Sequence, residues 1–188
     1  ASHYLENTVA ELYACTADYC ELAVRRCLRN SRMLSSDVSA GYDPNFASAF
    51  EKKNSAFLGR GICFNKFTGS RGKSGSNDAN PEFMASLRKS SPEAAAERID
   101  DANAEYLAAL RKALDDEEVA YQFAELGKVD IGGGGTIAYL CAKYGMNVID
   151  SGIPVLSMHA PYEVISKVDL YEGYRGYCAF LQGAKPVE

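Results

Sequence analysis

The sequence predicts an α/β fold, a three-layer α/β/α sandwich in which helices cover both faces of one sheet. Two observations carry this. Short apolar stretches of strand character alternate along the chain with longer segments of helical period. Loops rich in glycine, serine and asparagine separate them, and no internal repeat or low-complexity segment breaks the series. The 188 residues are 47% hydrophobic and 24% charged, which suits one globular domain with a sizeable core.

Residues 2–29 have helical period. Leu5, Val9, Leu12 and Tyr13 share one face of a first helix. Asp18 and Glu21 have the spacing of a capping box that opens a second, with Leu22, Ala23, Cys27 and Leu28 on one side. "RMLSSDVS" (32–39) lacks helix caps and runs into "AGYDPN", so it reads as a strand ending in a loop. "GICFNKF" (61–67) is another strand, followed by the polar loop "TGSRGKSGSNDANP" (68–81). Asn80 before Pro81, and Ser91 before Pro92, pair an N-cap with a first-turn proline and open two helices. In the longer one Ile99, Ala102, Tyr106, Leu110 and Leu114 form the buried stripe. It closes on "DDEE" (115–118), an unfavourable charge for a helix C-terminus. "VAYQFAEL" (119–126) alternates as a strand does. "GKVDIGGGGT" is a loop that opens a helix from Thr136 to Tyr144, stopped by Gly145. "MNVID" and "IPVLSM" read as two strands. Residues 161–182 read as a last helix, with Val164, Ile165, Val168, Tyr171, Tyr174 and Cys178 at roughly helical spacing.

The composition excludes several classes. A net charge of −5 argues against a general nucleic-acid binder, which needs a basic surface to displace counterions. No apolar run approaches the roughly 20 residues that span a bilayer, so no membrane partner is expected. The chain starts at Ala1 without a secretory apolar segment or an initiator Met, which points to a processed or cut chain. Its six cysteines form no CxxC pair and only two histidines accompany them, so a finger-type zinc site is excluded. They lie in apolar stretches and read as reduced core residues of a cytoplasmic protein.

Three loops at strand ends carry unusual residues, and open α/β sheets bind ligands at such loops. In "SSDVSAGYDPN", Asp37 ends a strand and Asp43 precedes Pro44-Asn45; aspartate also serves as an ordinary turn former in such places. In "FTGSRGKSGSND", Arg71 and Lys73 stand among glycines and serines, where an anion could be held by backbone N–H groups and two cations. The spacing is not that of a Walker loop, and a solvated surface loop has the same composition. "GKVDIGGGGTIA" holds four consecutive glycines before a helix, where free N–H groups favour negative charge. It lacks the dinucleotide-binding GxGxxG pattern. The stretch "SMHAPYE" contains His159, either a metal ligand or a core histidine bonded to a backbone carbonyl.

Taken together, "SSDVSAGYDPNF", "KFTGSRGKSGSNDAN", "ELGKVDIGGGGTIA" and "VIDSGIPVLSMHAPYEVISKVDLY" resemble, in that order, the C-terminal part of the aspartyl aminopeptidase and aminopeptidase I family of zinc metallopeptidases. "SHYLENTVAEL" is similar to the family's helix just beyond its catalytic glutamates, so the resemblance covers nearly the whole of residues 1–188. It implies the C-terminal half of a catalytic domain with a central mixed sheet. It also implies two zinc ions, with Asp37 and His159 as ligands to different ions. The family's first histidine, bridging aspartate and paired glutamates, one of them the general base, would lie upstream of Ala1. No catalytic base is therefore expected within this chain, and it would be inactive alone.

By the same resemblance Lys73, or Arg71, would lie near the substrate carbonyl or carboxylate, and Gly134, Gly135 and Thr136 would supply backbone contacts. Several relatives have a histidine three residues after the ligand aspartate; here that position is Ala40, and the N-terminal residue preference stays open. The implied reaction is removal of N-terminal residues from a peptide substrate, the metals lowering the pKa of the attacking water. Relatives form large closed oligomers, so the implied partners are further copies of the chain or the missing N-terminal half. The dimerisation domain of those relatives also lies upstream. A reading of a different class is a non-catalytic domain for assembly or peptide binding.

Overall fold

The computed structural model describes residues 3–16, 19–65, 104–124, 128 and 138–183. They form helices α1 (Tyr4–Thr16) and α2 (Glu21–Arg29), strand β1 (Arg32–Ala40) and two 3₁₀ turns (Pro44–Ala49 and Lys52–Asn54). Strand β2 (Ile62–Asn65), helix α3 (Ala104–Asp116), strand β3 (Tyr121–Ala124) and helix α4 (Ala138–Ala142) follow. Strands β4 (Asn147–Leu156) and β5 (Val164–Ile165) precede helix α5 (Lys167–Gly183). The expected polar loop 68–81, both proline-started helix openings and the glycine run lie outside the described residues.

The strands make one mixed sheet in the order β1-β4-β2-β3, with β5 on the far end of β4. β1 runs parallel to β4, from Arg32 opposite Asn147 to Ala40 opposite Val155. β2 is antiparallel to β4 and parallel to β3. Alternation along the strands then sorts side chains between two faces. On one, Leu34, Ile149, Ile62 and Phe64 pack with Tyr106, Leu110 and Leu114 of α3 and Ala179 of α5. On the other, Met33 and Val148 pack with Ala138 and Ala142 of α4. This is the expected three-layer sandwich. Each fully buried Leu or Phe on the larger face contributes about 1.5–3 kcal/mol.

Of the stripe expected on the long helix, Tyr106, Leu110 and Leu114 are buried, while Ile99 and Ala102 lie outside the described residues. Its acidic end is relieved by Arg175 of α5, whose guanidinium donates to the carbonyls of Glu117 (2.5 Å) and Glu118 (3.2 Å) and also pairs with Glu172. A cation thus stands where the helix dipole favours one, although the local sequence offers only acids.

Five expectations are corrected. "MNVID" and "IPVLSM" form one continuous strand, because Ser151 and Gly152 between them pair with both β1 and β2. Pro154 falls between the residues that pair with β2, ending at Gly152, and those that pair with β5, starting at Val155. The missing N–H of the proline therefore interrupts neither ladder. The last helix starts at Lys167, since Val164 and Ile165 pair with β4 instead. Its inner side is not the apolar set. Asp169, Glu172, Gly173, Gly176 and Ala179 are buried, while Val168, Tyr171 and Tyr174 face outward. Helix α2 is capped by the Cys20 thiol, which accepts from the Ala23 N–H at 3.3 Å; it buries Val24 and Leu28, and Leu22 is exposed. The cysteines are not uniformly core residues either: Cys63 is buried, but Cys15 and Cys20 are exposed.

The inner acids of α5 act as clamps. Asp169 is fully buried and accepts from the N–H groups of Gly59 and Gly61, both at 2.7 Å. Glu172 accepts from the Ala120 N–H at 2.8 Å. Charge-assisted bonds of this kind are roughly twice as strong as neutral ones. The loop they hold depends on glycine. Gly61 has φ +86°, and a Cβ there would lie 1.9 Å from the Ala120 carbonyl oxygen, whereas at Gly59 (φ +81°) nothing lies within 4 Å. Gly61→Ala is therefore expected to cost on the order of 3 kcal/mol or more, and Gly59→Ala about 1–2 kcal/mol from backbone strain alone. Urea melts of the two variants check this; equal losses would contradict the close approach at Gly61.

Candidate metal centre

The parallel pairing of β1 and β4 sends both strands out at the same edge of the sheet. Asp37 lies opposite Gly152, three residues before β1 ends at Ala40. It is exposed, and its Oδ1 accepts from the Val38 N–H at 2.8 Å. It forms part of a strand, so the turn-forming alternative does not apply to it. That alternative does hold for Asp43, whose Oδ1 accepts from the Asn45 N–H at 2.8 Å and opens the Pro44–Ala49 turn. By alternation Asp37 shares a face with Met33, Ser35 and Ser39. Beside it the sheet is polar inside: Ser35, Ser39, Asn65 and Asp150 are all buried. Ser39 Oγ donates to Asn65 Oδ1 at 2.9 Å.

Gly152 sets how closely the two strands approach at this point. A Cβ there would lie 2.7 Å from the Asp37 carbonyl oxygen and 2.9 Å from the Ser39 nitrogen. Both are main-chain atoms, which a side chain cannot displace without moving β1.

His159 follows the end of β4. Ser157 to Ala160 make a tight turn, with the Ala160 N–H donating to the Ser157 carbonyl at 2.9 Å. Ser157 (φ +57°) and His159 (φ +65°) both adopt the left-handed conformation. For residues other than glycine this costs about 1–3 kcal/mol each, and such strain clusters at functional sites. The His159 N–H donates to Glu163 Oε1 at 2.5 Å, and β5 then returns to pair with Val155 and Leu156. The imidazole therefore belongs to an exposed hairpin tip, which excludes the core-histidine alternative.

Asp37 thus sits within β1, three residues before its end, and His159 three residues beyond the end of the neighbouring β4. An exposed carboxylate and an exposed imidazole are suitable zinc donors. Among the described residues no three His, Cys, Asp or Glu side chains gather into a metal-binding group. Arg71, Lys73, Gly134, Gly135 and Thr136 lie outside the described residues. A small recess lined by Arg32, Tyr106 and Phe180 adjoins the first residue of β1, at the opposite end of that strand from the candidate site. Two residues of the site escaped the sequence reading: Glu163, whose only signal was a carboxylate four positions after His159, and Gly152, a glycine inside a strand.

Comparison with known proteins shows the class to be that of a zinc metalloprotease family. The chain belongs to the M18 family, described as aminopeptidase I zinc metalloprotease, whose model matches residues 1–94 and 93–181. It is 54% identical over 180 residues to a probable M18 family aminopeptidase 1 of Clostridium acetobutylicum, covering 96% of this chain and 34% of that protein. A counterpart in Borreliella burgdorferi is 40% identical over 181 residues, with 95% and 34% covered. Among solved structures, aminopeptidase I from Clostridium acetobutylicum superposes with a TM-score of 0.72 at 52% identity, covering 96% of this chain and 33% of that one. An M18 family aminopeptidase of Thermotoga maritima superposes with a TM-score of 0.76 at 35% identity, covering 95% and 34%. The chain spans about a third of the length of the relatives it matches.

Gly152→Ala tests how the strands hold Asp37. It is expected to lower the melting temperature and to speed hydrogen exchange in 35–40 more than elsewhere in the sheet. Unchanged exchange in that segment would show that β1 does not depend on the close approach.

Proposed function

We propose that the whole protein is a dizinc aminopeptidase that releases N-terminal residues from peptides, and that this chain is the C-terminal portion of its catalytic domain. Asp37 would offer a carboxylate oxygen to one zinc and His159 a ring nitrogen to the other. The observation that supports the reading is the parallel β1–β4 ladder, in which Asp37 lies opposite Gly152, with His159 in the turn that follows β4. Zinc, when bound, lowers the pKa of water and polarises the scissile carbonyl. The chain's own contribution is positional. A long ladder fixes Asp37, and a closed, strained turn fixes His159. Lys73 or Arg71, with backbone N–H groups at Gly134, Gly135 and Thr136, would stabilise charge developing on the substrate oxygen. The remaining ligands and the general-base glutamate would come from the upstream part of the protein. A cytoplasmic setting, where thiols stay reduced, belongs to the same reading.

A second reading, assembly without catalysis, is favoured by one observation. Leu5 and Leu12 of α1 are 43% and 60% exposed, and Tyr171 and Tyr174 of α5 are 61% and 64% exposed. Such apolar surface suits association with further copies or with the rest of the protein. Among the described residues β1 also has a single neighbour in the sheet, and an open strand edge invites pairing. The 188-residue chain is expected to self-associate at micromolar concentration in sedimentation experiments. A clean monomer would contradict this.

The enzymatic reading is tested on aminoacyl substrates with added zinc. The complete protein should turn them over and the 188-residue chain should not, because loss of a general base alone costs about 10²–10⁴-fold. Within the complete protein, Asp37→Ala and His159→Ala should each lower kcat/KM by on the order of 100-fold or more, beyond the usual effect of an outer-shell change. Robust turnover by the chain alone, or full activity in either variant, would overturn the assignment.

A further inference from the structure

We propose that Glu163 is a positioning residue for His159, holding the main chain of the turn so that the imidazole faces the site in one fixed direction. The inference rests on the reading of His159 as a zinc ligand. Its basis is local geometry. His159 has φ +65° and follows Ser157 at φ +57°, two left-handed residues within three positions. A histidine left alone would relax toward extended or right-handed backbone, since left-handed conformation disfavours any residue with a Cβ. Three contacts oppose that relaxation. The Ala160 N–H closes the turn onto the Ser157 carbonyl at 2.9 Å. β5 pins the returning chain to Val155 and Leu156. The Glu163 carboxylate accepts the His159 N–H itself at 2.5 Å.

Only the last contact acts on the strained residue directly. A carboxylate accepting a main-chain N–H is among the stronger hydrogen bonds. Glu163 directly precedes Val164, the first residue of β5, so its own backbone is fixed by the sheet. The chain therefore ties the metal-ligand candidate to the β-ladder twice, through β4 before it and through Glu163 after it. Outer groups that orient a ligand are commonly worth 10–100-fold in metal affinity. Glu163 is exposed, so replacing it removes no core packing.

The experiment uses the complete protein. Zinc affinity is measured by competition with a chelator, alongside kcat, KM and the thermal melt, for Glu163→Ala, Glu163→Gln, Glu163→Asp and His159→Ala. Glu163→Ala is expected to weaken binding of one zinc about 10–100-fold and to lower kcat more than KM. Glu163→Gln keeps an acceptor oxygen in place and should restore most of the affinity. Glu163→Asp keeps the charge but withdraws it by one methylene, and should resemble Glu163→Ala. If Glu163→Gln is as impaired as Glu163→Ala, the charge rather than the hydrogen bond matters, and the proposal fails. If His159→Ala loses one zinc while Glu163→Ala keeps both at wild-type affinity, the proposal fails and the ligand reading stands. If His159→Ala itself keeps both zinc ions, the ligand reading fails and takes the proposal with it.

Discussion

The parallel ladder between Arg32–Ala40 and Asn147–Leu156 is the constraint on which the rest of the structure depends. It joins segments more than a hundred residues apart and gives the sheet its longest pairing. Parallel strands leave a sheet at the same edge, so the loops that follow them must meet there. The loop after Ala40 and the turn bearing His159 therefore follow the same end of the ladder, with Asp37 three residues before it. Gly152 tightens the ladder at Asp37 itself, where main-chain atoms leave no room for a side chain.

The second support is electrostatic. Helix α5 is held to the sheet by two buried carboxylates as well as by the packing of Tyr177, Ala179 and Phe180 on the core. Asp169 takes the N–H groups of Gly59 and Gly61, and Glu172 takes that of Ala120. These amides stand at the entries to β2 and β3, so one helix fixes where both strands begin. Arg175 completes the arrangement by satisfying the last carbonyls beyond α3 and pairing with Glu172. The left-handed turn at His159 is attached to the same helix through β5. The candidate site and the clamp are therefore parts of one chain segment, 157–183, anchored at both ends.

Much of this was legible before any coordinates. β1, β2 and β3 were found where strand character placed them, although β2 is buried at all four positions rather than alternately, and the helical period located Tyr106, Leu110 and Leu114 of α3 in the core. The two motif residues, Asp37 and His159, stood out by their loops and by family resemblance. The rest was hidden for physical reasons. Helix α5 inverts the usual rule, burying acids that bond main-chain amides and exposing tyrosines, and periodicity cannot see a backbone partner. Val164 and Ile165 fit a helix by spacing, but the end of β4 offered them a ladder. The gap left at Ser151-Gly152 is filled by strand, because both residues pair with β1 on one side and β2 on the other. The bond from His159 to Glu163 depends on a backbone conformation that no residue count reveals.

The proposed site requires Asp37 and His159 to face one pair of metals. The most direct measurement is anomalous X-ray diffraction at the zinc edge from crystals of the complete protein. Two neighbouring peaks are expected, one about 2.0–2.2 Å from an Asp37 carboxylate oxygen and the other about 2.0–2.1 Å from a His159 ring nitrogen. Zinc bound away from both residues, with Asp37 and His159 facing different parts of the surface, would contradict it.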